Sequence, residues 1–323
     1  MKKTLGILGL LIAVCVFTAA NSDNFLSAYN LQNTFRWIGL FGIIGVGVSL
    51  VIVTGGIDLS IGSVVGLSGS LLAFLLTTKG LSPWIVIPLI LAGSAGIGLA
   101  HGLLITRVKL QPFVVTLCSL LFCRGIARYL TGDQSVGFGS GFKGLRFLSD
   151  GALPLFGGFS LPVPFINMIV VAVIAGFLLQ YTIYGRYLFA LGRNEEAARY
   201  SGINTANVTV AAYVACSLCA GFSGMVFALD LNTVQPAGMG EFYELYAIAA
   251  AVLGGFSLRG GEGAIVGVII GTAVLRVLQN AITILGFPSE LEFAIIGAVL
   301  LMGVIADELF KRFMAKKRAR VAI

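Results

Sequence analysis

Long apolar runs alternate with short polar connections along the whole chain, and many runs approach the length that crosses a lipid hydrocarbon core. No Lys, Arg, Asp or Glu occurs in 80–106, 151–185 or 200–229. A spanning helix takes about 20 apolar residues, and each of these windows holds at least one. Backbone amides in lipid must pair internally, which leaves helices or a closed barrel. Barrel strands alternate apolar and polar residues over about 10 positions. The run 166–179 does not alternate, so helices are predicted. Periodicity and breakers place spans at 4–20, 38–53, 61–77, 83–106, 112–130, 164–181, 208–229, 243–255, 263–285 and 291–306. The eighth is short, as a tilted, broken or re-entrant element is. The fold class is all-α: a polytopic transmembrane helical bundle of about ten spans, forming a single transmembrane domain over 1–323.

Composition strengthens this picture. Of 323 residues, 58% are hydrophobic and 11% charged, where a soluble domain carries about 25% charged residues. The 43 glycines include four-residue spacings at Gly62/Gly66, Gly98/Gly102 and Gly263/Gly267/Gly271, a pattern that lets helix backbones approach closely in lipid. Five cysteines all fall within predicted spans, and there is one histidine, His101. That is too few ligands for a zinc site, so no metal or cofactor is expected and the cysteines read as small packing residues.

Charge sets orientation. The net charge of +7 sits at helix ends and in the C-terminal tail rather than in an aromatic-interleaved patch, so it does not point to nucleic acid. With an even number of spans, one side collects Lys2, Lys3, Arg107, Lys109, Arg186, Arg193, Arg199, Arg259 and six basic residues of 311–320. The other collects Arg36, Lys79, Arg124, Arg128, Lys143 and Arg146. The positive-inside rule then places both termini in the cytoplasm. Met1-Lys2-Lys3, an apolar run and Thr18-Ala19-Ala20 also have the layout of a cleavable signal peptide. Retention of the first span is the expectation.

Polar residues inside this apolar pattern mark candidate chemistry. Asp58, in Thr54-Gly55-Gly56-Ile57-Asp58-Leu59-Ser60, reads either as an N-cap for the third span or as a carboxylate lining a pathway, since an acid at membrane depth is costly. Arg276, Gln279 and Asn280 form a polar stripe on the ninth span, suited to a pathway or to a subunit contact. Thr54, Asp58, Ser60, Arg276, Gln279 and Asn280 are therefore the pathway or helix-break candidates. Gly55-Gly56 before Gly62-x-x-x-Gly66 is echoed by Gly254-Gly255 before Gly263-x-x-x-Gly267, as in transporter folds with internal repeats. The external segment 132–162 is rich in Gly, Ser and Pro and is expected to be irregular. The internal segment 185–207 centres on Arg193–Gly202, which reads as a short polar helix with a glycine stop. No P-loop, no plausible Ser/His/Asp set and no paired carboxylates within a helix occur, so an enzyme is a poor reading. An ion-coupled secondary transporter has one good acidic candidate, Asp58.

Three long motifs carry a resemblance. They are Asn30-Leu-Gln-Asn33 followed by Thr54-Gly-Gly-Ile-Asp58-Leu-Ser60-Ile-Gly62-Ser63; Gly185-Arg-Tyr followed by Ala190-Leu-Gly-Arg-Asn194-Glu195-Glu-Ala197-Ala198-Arg199-Tyr-Ser201-Gly202-Ile203; and Gln235-Pro236-Ala-Gly238 followed by Leu253-Gly254-Gly255-Phe-Ser257-Leu258-Arg-Gly260-Gly261. From about 24 to 307 the chain resembles the permeases of ribose-type ABC sugar importers. The resemblance implies two permease subunits in the bacterial inner membrane, alike or homologous, a periplasmic or extracellular solute-binding protein and a cytoplasmic ABC ATPase. It implies import of a monosaccharide, with relatives that handle nucleosides or branched-chain amino acids. It also gives 185–207 the role of ATPase coupling, through Arg193, Asn194, Glu195, Arg199 and Gly202. The chain departs from the family where Phe256 stands in place of the usual Thr, and where Arg276 and Ala281 stand in place of Asn or Gly.

Overall fold

The computed structural model describes residues 2–155 and 158–299, together with 301, 302 and 305. Among these, seven helices are long and apolar enough to cross a membrane. They are α2 (Ala28–Ile52), α3 (Ile61–Ala73, extended by a π-turn Phe74–Thr78), α4 (Pro83–Thr106), α5 (Pro112–Thr131), α7 (Val163–Tyr181), α10 (Thr205–Leu231) and α12 (Ile265–Ile284). The remaining helices are α1 (Lys2–Asn21), α6 (Lys143–Asp150), α8 (Ile183–Arg193), α9 (Glu195–Tyr200) and α11 (Tyr243–Leu253). The protein is an all-α polytopic membrane bundle. The tenth predicted span, 291–306, lies partly outside the described residues; 292–299 are helical.

Local signals set the helix starts. Proline opens α4 and α5 at the first turn, where its missing N–H costs nothing and its φ already suits a helix. Ser27 caps α2 by accepting from the Asn30 amide. The expected start at 38 is corrected to 28, because the polar first turns that end an apolar pattern are satisfied by tertiary partners. Asn30 bonds Asn280 and Arg36 bonds Asp230.

Burial sorts the helices into a centre and a periphery. In α2, 83% of the most apolar window is buried within the protein, against 22% in α4 and in α5. α2 is thus the central post, packed against α7, α10, α11 and α12, while α10 also packs on α3 and α4. α1 lies along α12, and Ile7, Leu10, Leu11 and Val14 join an apolar cluster with Leu275, Leu278 and Ile282.

The segment 132–162 is not the irregular loop its composition predicts. It contains α6, which packs on α7 and α10, and two short antiparallel ribbons. β1 (Val136–Gly137) pairs with β4 (Thr233–Val234), and β2 (Ala152–Pro154) with β3 (Ser160–Pro162). Asp133 opens this segment, where its hydrogen bonds from Arg128 hold its carboxyl below the usual range.

Candidate functional site

The polar residues singled out in the sequence fall into three groups, each held by different elements. The first is the break between α2 and α3. α2 ends at Ile52, and Thr54 Oγ1 donates to the Val51 carbonyl at 2.7 Å while accepting from the Gly56 amide. Asp58 does not cap α3. Ser60 occupies the cap position, and Asp58 Oδ1 accepts from both the Ser60 amide (2.9 Å) and the Ser60 hydroxyl (2.6 Å). This is a side-chain turn two residues wide, of the kind Asp makes in place of backbone turns. Asp58 is 1% exposed. The Tyr213 hydroxyl on α10 fixes the same turn by donating to the Ile57 carbonyl at 3.1 Å. His101 on α4 stands edge-on to Tyr213 and is likewise buried. Thr54, Asp58 and Ser60 are thus one unit.

Facing this break is a second one, at the short eighth span that the sequence marks as a tilted, broken or re-entrant element. After α10 the chain turns back through 235–242 and restarts as α11, only 11 residues long. Such a helix spans about 16 Å, half of a hydrocarbon core about 30 Å thick. Arg124 of α5 holds the returning segment by donating to the carbonyls of Pro236 (3.1 Å) and Met239. The segment meets α3 backbone to backbone: a Cβ on Gly62 collides with the Gly240 carbonyl and with Glu244, and one on Gly66 lies 2.6 Å from the Met239 carbonyl. Glu244 is buried in the first turn of α11, where a carboxylate favours the free amides and the positive end of the helix dipole. Two helix N-termini, those of α3 and α11, therefore abut inside the bundle, with Asp58 before one and Glu244 in the other. The sequence expectation places Arg124 among the basic residues of the external side. Its place more than one turn inside α5 was the available signal.

The second group lies on α12. The Arg276 guanidinium stands 3.5 Å from the centroid of Phe41 on α2 and 4.7 Å from that of Tyr246 on α11. It donates to Gln279, and Gln279 donates to Glu292. Asn280 exchanges hydrogen bonds with Asn30 at 2.7 and 3.1 Å. Arg276 is 5% exposed, so in this conformation it faces neighbouring helices of its own chain.

The third group is the segment 185–207. Thr182 caps α8 by accepting from the Gly185 amide, and Asn194 caps α9 by accepting from the Ala197 amide at 3.0 Å. Glu195 and Glu196 occupy the first turn of α9 and Arg199 the last, the charge order that suits a helix dipole. Gly202, with φ +84°, ends the unit. Arg193, Asn194, Glu195 and Arg199 are all exposed, while Ala198 is buried and anchors the helix.

Comparison with known proteins places this architecture. Residues 30–304 match the family model described as branched-chain amino acid transport system / permease component. The chain is 38% identical to the ribose import permease protein of Bacillus subtilis (strain 168), across 95% of this chain and 93% of that protein. It is 35% identical to the ribose import permease protein of Escherichia coli (strain K12), across 93% and 92%. It is 32% identical to the D-allose transport system permease protein of Escherichia coli (strain K12), across 94% and 90%. No solved structure matches the chain. Coverage of nearly the whole chain by one family model and by these relatives means that the protein belongs to the permease-component family of branched-chain amino acid transport systems, among its ribose-type members.

Proposed function

We propose that this chain is the membrane-spanning permease subunit of a binding-protein-dependent ABC importer, and that it passes a monosaccharide into the cytoplasm. The observation that carries the reading is the match, over 93% or more of the chain, to permeases named for ribose and D-allose. The geometry supports it. Two discontinuous helices meeting inside a bundle are what transporter folds use around a substrate path, and α9 presents a capped, charged helix outside the spans.

In this reading the chain itself does no chemistry. A cytoplasmic ABC ATPase supplies the motive force, a periplasmic or extracellular binding protein delivers the sugar, and a second permease subunit, identical or homologous, completes the channel. Arg193, Asn194, Glu195, Arg199 and Gly202 couple the permease to the ATPase. Thr54, Asp58 and Ser60 hold the helix break beside the pathway, and Arg276, Gln279 and Asn280 fix α12 against α2, α11 and the helix from 292. Ten membrane elements comprise the seven long helices, a retained α1, the re-entrant 235–242 segment with α11, and the helix from 292. Both termini are cytoplasmic, in keeping with the distribution of basic residues.

The test is uptake of labelled ribose and other monosaccharides into proteoliposomes. Uptake is expected only when the ATPase subunit, ATP and the binding protein are all supplied. Uptake by this chain alone, driven by a proton or sodium gradient, would overturn the reading.

A further inference from the structure

The returning segment 235–242 reaches well into the bundle, and two anchors fix its depth. Arg124, which holds the Pro236 and Met239 carbonyls, is the thirteenth of the 20 residues of α5. Arg276, whose guanidinium stands over the Tyr246 ring in the first turn of α11, is the twelfth of the 20 residues of α12. At 1.5 Å per residue, each anchor lies about 10 Å or more from either end of its helix. Glu241 and Phe242, between these anchors in the chain, are therefore near the mid-depth of the spans.

Both residues are nevertheless exposed. So is Phe293 on the helix from 292, whose ring stands edge-on to Phe242 with centroids 5.9 Å apart. Phe242 holds φ +61°, a left-handed conformation that a bulky residue adopts at a cost, yet its ring is not buried in return. Arg124 is within electrostatic reach of Glu241, but its Nη1 serves the two carbonyls, and among the described residues no hydrogen bond joins it to Glu241. A carboxylate at this depth is costly against hydrocarbon and belongs beside water or a partner. An identical second copy offers a poor partner. It brings the same acid to the shared face, and at this depth Arg124 is already engaged and Arg276 is enclosed by its own chain. The exposed face of 241–242 is thus suited to water and to a polar solute.

A monosaccharide matches that face. Its ring has an apolar C–H side, which an aromatic face covers, and hydroxyl groups, which donate to a carboxylate. Apolar walls with a few placed polar groups are how small-molecule sites are built. We propose that Glu241 and Phe242 contact the sugar as it passes: Phe242, backed by Phe293, stacks on the C–H side, and Glu241 accepts from hydroxyls. The proposal rests on the reading of the chain as a monosaccharide-importing permease and names side chains of its path.

The experiment uses the permease purified with its ATPase, reconstituted in proteoliposomes and supplied with binding protein carrying a labelled monosaccharide, D-ribose and D-allose first. Glu241→Gln changes one exposed side chain and keeps its size. Assembly and ATP hydrolysis stimulated by the loaded binding protein are expected to hold. Sugar moved per ATP is expected to fall on the order of tenfold, as for loss of a hydrogen bond to a charged acceptor. Phe242→Leu should lower the same ratio several-fold, and Phe242→Tyr, which keeps the ring, should restore it. A merely structural role would lower assembly and hydrolysis along with uptake. A wild-type ratio of sugar to ATP in both Glu241→Gln and Phe242→Leu overturns the proposal. Separation of the two permease subunits in Glu241→Gln, read from the mass of the purified complex, overturns it in favour of a contact between subunits. If the wild-type assembly moves no monosaccharide, the importer reading itself fails, and the two failures are told apart.

Discussion

Arg276 is the residue whose environment departs most from what its position in a span implies. A cation within an apolar span is costly unless it meets partners or water, and here the partners are two aromatic faces and the Gln279–Glu292 relay. A desolvated cation–aromatic contact contributes about 2 kcal/mol, and removing one member of a buried polar set leaves the others unpaired. Arg276→Ala should therefore lower stability by about 3 kcal/mol. Arg276→Lys should cost roughly half of that, because an ammonium keeps the charge but loses the planar stacking of guanidinium. Unfolding in detergent measures both, and equal stability of all three proteins would remove the cage from the account. Uptake per folded molecule should be retained, since the guanidinium faces helices of its own chain. Asp58 invites a parallel comparison. Asp58→Ala removes the acceptor of two buried hydrogen bonds from Ser60 and should cost about 1–3 kcal/mol. Asp58→Asn keeps an acceptor and discards the charge. Folding yield should fall for Ala and hold for Asn. Uptake should follow yield if the carboxylate serves the turn alone, and an idle but well-folded Asn variant would assign the charge itself to transport.

At the scale of elements, the discontinuous helices show both what the sequence makes legible and what it hides. α4, α5 and α7 are plain in the chain because their lipid-facing surfaces are apolar all round, and their predicted bounds fall within a residue of the observed ones. The start of α2 is hidden because Asn30, Gln32, Asn33 and Arg36 resemble a loop until Asn280 and Asp230 arrive from elsewhere in the chain. The short span 243–255 is legible as a broken or re-entrant element, but the segment 235–242 before it and what holds it in place are hidden for the same reason. Its carbonyls are satisfied by Arg124, more than a hundred positions away, and local pattern carries no information about such a partner. The glycine spacings, by contrast, were legible, and the structure gives them particular work. Gly62 faces carbonyl backbone at Gly240 and the Glu244 carboxylate, so an added methyl cannot be accommodated by rotating a side chain at the Gly240 contact. Overpacking of this kind typically costs about 1–3 kcal/mol. Gly62→Ala should approach the upper end and sharply reduce folded protein. Gly93→Ala, which meets nothing within 4 Å, should be neutral. Equal yields for the two would mean that α3 and the re-entrant segment separate readily. After α9, Gly202→Val forces a β-branched residue into a left-handed conformation, which costs about 1–2 kcal/mol locally. Membrane insertion should be unaffected while ATP-driven uptake falls; normal uptake would count against the coupling role.

For the whole molecule, orientation decides whether these local devices can work together. The α2–α3 break, the α11–α12 turn and α9 can respond to a cytoplasmic ATPase only if α8 and α9 face the cytoplasm, and the segment containing α6 then faces outward. We propose that arrangement from the expected ten membrane elements and the distribution of basic residues, and it can be checked without any transport assay. In a version lacking the five native cysteines, single cysteines replace Glu196 on α9 and Lys143 at the start of α6. A membrane-impermeant maleimide added to intact cells with a permeabilised outer envelope should label Lys143→Cys and spare Glu196→Cys. Inverted membrane vesicles should give the reverse. Labelling of both sites from one side would mean that an even number of membrane crossings separates α6 from α9, and α7 would have to be reassigned. Labelling of Glu196→Cys from outside alone would invert the protein, placing α9 on the face that meets the binding protein and out of reach of the ATPase. The expected pattern instead leaves α8 and α9 on the cytoplasmic surface, within reach of the ATPase in the proposed function.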